Sequence, residues 1–95
     1  MARVRWTAGA REEFSAIVAQ LKRDAPKLAS EVLRQVLRVT RLLGQFPELG
    51  QTAKWADDLG AREAFIIKRY RLVYRTFLEE VVNSALVPVG FQIHL

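Results

Sequence analysis

The strongest strand signal in the sequence is Lys68-Arg69-Tyr70-Arg71-Leu72-Val73-Tyr74-Arg75-Thr76-Phe77. Aromatic and β-branched residues alternate with arginines in this segment, which is typical of a half-buried strand. Alternation places on one face Tyr70, Leu72, Tyr74 and Thr76. It places on the other face Arg71, Val73, Arg75 and Phe77. We therefore predict a central strand with one face in the core and one basic face.

Length and composition predict a single folded domain over residues 1–95. Hydrophobic residues make up 51% of the chain, enough for one modest core and too many for a disordered segment. Cysteine is absent, which excludes disulfides, thiolate metal sites and cysteine nucleophiles. The N-terminus carries no apolar export signal, and no apolar run reaches the ~20 residues of a membrane span. We expect a cytoplasmic protein with no membrane partner.

The charge balance predicts an acidic partner. Fifteen basic and ten acidic residues give a net charge of +5. Arginine is suited to bidentate contact with phosphate or carboxylate groups. Net charge alone leaves nucleic acid and an acidic protein segment both open. The arginines of the central strand are either a binding surface or ordinary solvated residues.

The N-terminal half predicts a short strand followed by two helices. Residues 3–7, Arg-Val-Arg-Trp-Thr, alternate as a strand does, and apolar residues then recur at helical spacing from Ala10 to Leu21. The pattern breaks at Asp24 and restarts at Pro26, which the first turn of a helix tolerates. The second helix is expected to run to about Leu43. Two helices joined so closely form an antiparallel hairpin.

The second predicted helix has a wider apolar stripe than contact with one sheet requires. Leu33 and Leu37 widen it, and Arg34, Arg38 and Arg41 line the opposite side, which we interpret as solvated. Two interpretations of the leucines stay open. They pack on the first helix, or they form a patch that binds another protein.

The C-terminal half predicts a long loop and an antiparallel meander. Residues 44–61 are punctuated by glycine and proline, and the loop carries three large apolar residues that we expect to be buried: Phe46, Leu49 and Trp55. Strands are predicted over 62–67, over 68–77 and from Val81 to Ile93, with an edge or a bulge near Pro88 and Gly90. The fold class is α+β, in the order β-α-α-β-β-β.

Few residues in the sequence are suited to catalysis. His94 is the single histidine, so a serine triad and a metal site are not predicted, and no cofactor is expected. Basic residues of the meander could converge on its open face with Gln92 and His94: Arg62, Lys68, Arg71 and Arg75. Such a face can hold a phosphate backbone. RNA cleavage would in addition need an acid and a base, and His94 alone titrates near neutrality.

Three local features carry a family resemblance. They are the strand Arg-Val-Arg-Trp-Thr leading into a helix, the loop Phe-Pro-Glu-Leu-Gly at 46–50, and Arg62 followed by Tyr-Arg-Leu-Val-Tyr-Arg at 70–75. With the order of elements, they make the chain resemble RelE/ParE-type toxins of bacterial type II toxin-antitoxin systems over nearly its whole length. The resemblance implies a toxin neutralised by a cognate acidic antitoxin in a hetero-oligomer.

The same resemblance implies two alternative targets. ParE-like members poison DNA gyrase, and the long helical hairpin and the Phe-Pro-Glu-Leu-Gly loop are similar to theirs. RelE-like members are ribosome-dependent mRNA endonucleases. We expect the first activity, with growth inhibition and plasmid stabilisation as its consequences, and keep the endonuclease as the alternative.

The resemblance also assigns candidate residues. An endonuclease would use Arg62, Arg71 and His94, although the arginine that the family has near the C-terminus is missing after Val89-Gly90. For binding of the target or the antitoxin, the candidates are Arg62, Lys68, Arg71, Arg75, Leu33 and Leu37.

Overall fold

The computed structural model of the chain describes residues 1–56 and 60–90. The elements within them are β1 (Arg3–Trp6), α1 (Ala8–Asp24), α2 (Pro26–Gln45), β2 (Gln51–Thr52), β3 (Arg62–Ile66), β4 (Tyr70–Phe77) and β5 (Glu80–Pro88). This confirms the predicted α+β order, with one addition. The two-residue strand β2 lies inside the segment predicted as a loop, and it is too short to show an alternating pattern in the sequence.

The sheet has the strand order β1-β5-β4-β3-β2. Strands β3, β4 and β5 form the predicted antiparallel meander, and β2 adds to its outer edge beside β3. Strand β1 pairs with β5 in parallel, so that Arg3 lies beside Glu80. The helical hairpin between β1 and β2 crosses one face of the sheet, where α1 packs on β5 and α2 packs on β1, β3 and β5.

Local signals fix both ends of α1 and the start of α2. The Thr7 hydroxyl accepts a hydrogen bond from the Ala10 amide at 3.1 Å, which caps the first turn. At the other end the Ala25 amide donates to the Leu21 carbonyl oxygen, and Pro26 begins α2. Proline costs nothing there because a first-turn amide has no helical partner.

The core lies between the hairpin and the sheet, and it confirms the predicted inner face of the central strand. Leu72 and Tyr74 are fully buried, and their main apolar partners on α2 and the sheet are Val32, Val36, Leu43, Ile66, Val81 and Leu86. Thr76 was assigned to this face but is exposed, although its cross-strand neighbour Val81 is fully buried.

The opposite face of the sheet was predicted to be open, and this is wrong at its centre. Val73 is only 6% exposed and packs with Ala53 and Ala61, and Trp55 lies against them. The Ala53 amide donates to the Ala61 carbonyl oxygen at 2.9 Å, which folds the loop back over the sheet. The loop therefore provides a second, small core on the face that alternation alone assigns to solvent.

Strand β5 is an edge only in its second half. Its pairing with β1 ends at Asn83, and the Leu86 amide donates instead to the Glu13 carboxylate of α1 at 3.1 Å. Pro88 has no backbone N–H that the missing strand partner would leave unpaired, in agreement with the predicted edge. The bulge falls earlier than predicted, at Ser84, whose hydroxyl donates to the Val73 carbonyl oxygen at 3.2 Å.

Candidate binding surface

Polar side chains from the sheet hold the loop that follows α2. The Tyr74 hydroxyl donates to the Pro47 carbonyl oxygen and accepts from the Gly50 amide, both at 2.9 Å. The Arg62 guanidinium donates to the carbonyl oxygens of Glu48 and Gly50. The main chain of the loop is thus fixed to β3 and β4, and the Arg62 side chain has the structural role of holding the loop against the sheet.

This attachment explains why the predicted burial of Phe46 and Leu49 is wrong. Phe46 is 57% exposed and Leu49 is 51% exposed, whereas Trp55 is half-buried and packs beside Val73 on the sheet. The loop is fastened through its carbonyl and amide groups, so its apolar side chains are free to point outward. Arg62 and Tyr74 supply those bonds.

Close contact between the loop and the sheet requires glycine at position 50. A Cβ there would lie 2.3 Å from the Glu63 carbonyl oxygen and 2.8 Å from the Tyr74 hydroxyl oxygen. Real Cβ atoms do not approach main-chain oxygens so closely. Gly50 therefore lets the chain enter β2 directly against β3.

Arg71 lies in an aromatic and acidic cluster on the face away from the helices. Its guanidinium carbon is 5.1 Å from the centre of the Trp55 ring and 5.7 Å from that of Phe65, distances of cation-π contact. The nearest oxygen of the buried Glu63 carboxylate is 3.6 Å from its Nη1. That carboxylate also accepts hydrogen bonds from the Gln51 amide and the Trp55 indole.

The carboxylate of Glu63 offsets the positive charge of Arg71 without satisfying the hydrogen-bond donors of its guanidinium. At 3.6 Å the ion pair is longer than a hydrogen bond. Buried Nε of Arg71 has no hydrogen-bond partner among the described residues. The cluster borders a cleft of about 560 Å³ lined by Gln51, Thr52, Lys54, Trp55, Glu63 and Arg71.

The other predicted basic residues do not join Arg71 on one continuous face. Lys68 lies in the turn between β3 and β4, where it and Ile67 have φ values of 61° and 46°. Arg75 shares the face of Arg71, but the covered Val73 lies between the two. The predicted convergence is wrong for Lys68, which lies in a turn and not in a strand. It is also wrong for Arg62, which lies opposite Tyr74 and so is on the face of the sheet away from Arg71.

Leu33 and Leu37 are exposed on α2, by 40% and 55%. Leu33 borders a shallow groove with Phe14 and Val18 of α1, whereas Leu37 does not line it. The interpretation that these leucines pack on the first helix is therefore wrong for Leu37. It holds only in part for Leu33, which borders the groove beside α1. A protein-binding role for both stays a prediction.

The remaining predictions concern the C-terminal residues, metal binding and membrane spans. His94 and Gln92 lie outside residues 1–56 and 60–90. Within those ranges, no group of three histidine, cysteine, aspartate or glutamate side chains could hold a metal ion. No helix in the same part of the chain is long and apolar enough to cross a membrane.

The arrangement of strands and helices is shared with at least two solved structures. A chain of the chromosomal ParDE TA system from P. aeruginosa superposes with a TM-score of 0.76 at 18% identity, over 94% of this chain and 97% of that one. A conserved hypothetical protein from Helicobacter pylori superposes with a TM-score of 0.61 at 19% identity, over 95% and 97% of the two chains. At such identities the likeness shows a shared fold.

The family follows from the sequence itself. The chain belongs to the ParE toxin family of type II toxin-antitoxin systems, parDE, whose family model matches residues 4–86. No curated protein matches it. The predicted toxin-antitoxin membership, and its ParE side in particular, is confirmed.

Sequence reasoning missed Glu63 and gave Trp55 only a packing role. A signal for Glu63 was present, since the register of two antiparallel strands places Glu63 opposite Val73 and diagonal to Arg71. No comparable signal exists for Trp55, because its position depends on how residues 53–56 fold back.

Proposed function

We propose that this protein is the toxin of a toxin-antitoxin pair that acts in the cytoplasm by binding and inhibiting DNA gyrase, and that a cognate antitoxin neutralises it. Membership of the ParE family supports the toxin and the antitoxin. The choice of DNA gyrase as the target rests on the contacts that Arg62 and Arg71 make within the fold.

The observation that favours binding over RNA cleavage is the engagement of Arg62 and Arg71. Cleavage by in-line attack needs cations that converge on one phosphate and strengthen their contacts in the transition state. Arg62 instead holds loop carbonyl oxygens, and Arg71 lies between two rings beside Glu63. A buried carboxylate next to the arginine opposes the approach of a phosphate, because like charges repel at short range.

Inhibition by binding needs no general acid or base. It needs a surface with a few anchoring side chains, commonly aromatic residues and arginine. Exposed Phe65, Leu37 and Leu33 and the charge of +5 provide such features. Neutralisation by an acidic antitoxin follows from the same charge, and its affinity should fall as salt rises.

The test is expression of the toxin without any partner, with chromosome breakage and mRNA integrity scored in the same cells. We expect growth arrest with broken DNA and intact mRNA. Purified protein should also inhibit supercoiling by gyrase. Loss of mRNA with an intact chromosome would instead establish the endonuclease alternative.

A truncation separates the two mechanisms further. Removing residues 94–95 takes away the only histidine, which an endonuclease of this chain would need as acid or base, at a cost on the order of 10²–10⁴ in rate. The gyrase mechanism predicts that the truncated toxin still breaks DNA. An unchanged thermal unfolding curve is the control for folding.

A further inference from the structure

Basic side chains form a line along the exposed side of α2. A rotation of about 100° per residue places them within roughly 40° of one direction on the helix, and they span ~21 Å of its length. The four are Lys27, Arg34, Arg38 and Arg41, and all are exposed. Val36, which is buried in the core, lies on the opposite side of the helix. The line therefore points away from the sheet into solvent.

The charge of this line is one-sided. Helix α2 contains four basic residues and a single acidic one, Glu31, whereas α1 contains three of each. A mixture of signs, as on α1, is typical of a helix surface that only faces water. Helix α2 therefore accounts for three of the five net positive charges of the chain.

Only one of the four cations is neutralised within the helix. Arg34 donates a hydrogen bond to the Glu31 carboxylate, which lies one turn earlier. Lys27, Arg38 and Arg41 make no ion pair within the described residues. Three positive charges on this side of α2 are thus left for a partner outside the fold.

Two arginines of the sheet differ in this respect. Arg5 pairs with Glu80 at 3.0 Å, and Arg71 lies 3.6 Å from the carboxylate of Glu63. A carboxylate at such distances offsets the charge of the arginine and repels an approaching anion. A polyanion therefore gains more from the line on α2 than from these positions on the sheet.

The line offers charge and little else. Its nearest large apolar neighbours, Leu33 and Leu37, lie about 80–120° away around the helix. A protein interface draws most of its affinity from a few side chains in well-packed, desolvated pockets. A row of flexible cations provides no such packing, so charge is the main attraction for a partner here.

Duplex DNA matches a line of this length and charge. It carries one negative charge per ~1.7 Å of its axis, so about 12 phosphates lie beside a line of ~21 Å. An extended acidic peptide has at most one charge per ~3.3 Å. DNA is also the molecule on which gyrase works, so it is present wherever a gyrase inhibitor is bound.

We propose that Lys27, Arg38 and Arg41 bind the phosphate backbone of duplex DNA, so that the toxin contacts the DNA held by gyrase as well as the enzyme. This inference rests on the proposed function, which supplies the DNA. Contacts to phosphates carry no sequence information, so the binding is independent of sequence. A Kd of ~10⁻⁴–10⁻⁶ M at physiological salt is enough, because attachment to gyrase gives the line an effective concentration on the order of mM.

The first test measures binding of the full chain to a fluorescent duplex of about 20 base pairs, without gyrase, by anisotropy at roughly 50 to 200 mM KCl. Three phosphate contacts at about −0.9 each predict a slope of about −2.7 for the logarithm of the binding constant against that of the salt concentration. Affinity should therefore fall about 40-fold over this range. A glutamate peptide of about 20 residues should bind at least 10-fold more weakly than the duplex at the same salt.

Variants with opposite expected effects identify the line. Replacing Arg38 and Arg41 together by Gln should weaken binding about 10-fold or more at low salt and reduce the slope to about −0.9. Glu31→Gln frees the guanidinium of Arg34, so it should strengthen binding and steepen the slope to about −3.6. Arg3→Gln is the matched control. It removes one charge from an exposed site on the sheet face away from the helices and should change affinity by less than about 2-fold.

A second measurement adds gyrase. The double variant of Arg38 and Arg41 should bind gyrase alone as the unaltered toxin does, and should bind gyrase loaded with DNA more weakly than the unaltered toxin. Circular dichroism of each variant reports whether it is folded. Because the duplex assay contains no gyrase, it tests the DNA contact even if the toxin proves to have another target.

Any of four results would overturn the proposal. They are no duplex binding at the lowest salt, a slope that the double variant leaves unchanged, weaker binding by Glu31→Gln, and a glutamate peptide that binds as tightly as the duplex. The last result would assign the line to an acidic protein. Gyrase inhibition by the unaltered toxin is measured separately, so these results leave the proposed function standing.

Discussion

Replacing Tyr74 by phenylalanine should destabilise the fold through the loop alone. The ring stays in the core, where it is fully buried, and only the hydroxyl is lost. That hydroxyl serves two partners, the Pro47 carbonyl oxygen and the Gly50 amide, each at 2.9 Å. Both groups then lack a partner in a segment that is otherwise fastened by Arg62.

The expected loss follows from the burial of those two groups. A buried polar group without a partner costs ~1–3 kcal/mol. Pro47 and Gly50 are half-buried, so water reaches them in part and the low end applies to each. We expect a loss of about 2 kcal/mol in the free energy of unfolding, which for a domain of this size lowers Tm by roughly 8–16 °C.

The assay is urea unfolding followed by circular dichroism, with Tyr70→Phe as the matched control. Tyr70 belongs to the same strand, and its hydroxyl makes no hydrogen bond within the described residues. Its replacement should change stability by less than about 0.5 kcal/mol. If the two variants lose the same amount, the hydroxyl of Tyr74 does not hold the loop and the reasoning fails.

Three further changes test other contacts. Gly50→Ala should lower the free energy of unfolding by about 3 kcal/mol or more, because its Cβ would lie 2.3 Å from a carbonyl oxygen. Gly9→Ala in α1, where a Cβ would have nothing within 4 Å, should instead raise it by roughly 0.5–1 kcal/mol. Urea unfolding should show these opposite changes in stability, and changes of the same sign would contradict the reasoning. Thr40→Val should raise stability by about 1 kcal/mol, since its buried hydroxyl has no partner in the described chain, and a lower Tm would show that the hydroxyl is satisfied. The hydrogen bond from Arg34 holds the pKa of Glu31 below its ordinary value, so its contribution to stability is present above the unfolded pKa and is lost as pH falls through the folded one. An NMR titration of the Glu31 carboxyl should show this, and Arg34→Gln should move the pKa upward.

The fold was predictable where short-range patterns decide it. Apolar spacing and Pro26 defined the two helices, and alternation in β4 placed Leu72 and Tyr74 in the core. The parallel pairing of β1 with β5 was not predictable in this way, because no local pattern states which distant strand lies alongside. The same holds for β2, whose two residues cannot display a period.

The candidate site was predictable only in part. Residue type identified Arg71, but its partners Glu63 and Trp55 come from another strand and from a returning loop. Burial of Phe46 and Leu49 was expected from transfer energy alone. That reasoning fails because hydrogen bonds from Arg62 and Tyr74 to the loop's main chain decide its position.

The pairing of the first strand with the last has a consequence for synthesis. Arg5 and Glu80 are ion-paired although 75 positions separate them, so β1 has no strand partner until the ribosome has made almost the whole domain. Such long-range closure slows folding, whereas the β4–β5 hairpin can form from neighbouring residues. In a nascent chain the main-chain edge of β1 therefore stays unpaired until translation of this domain is nearly finished. The complete sheet therefore forms only late in the synthesis of the domain, after β5 has been made.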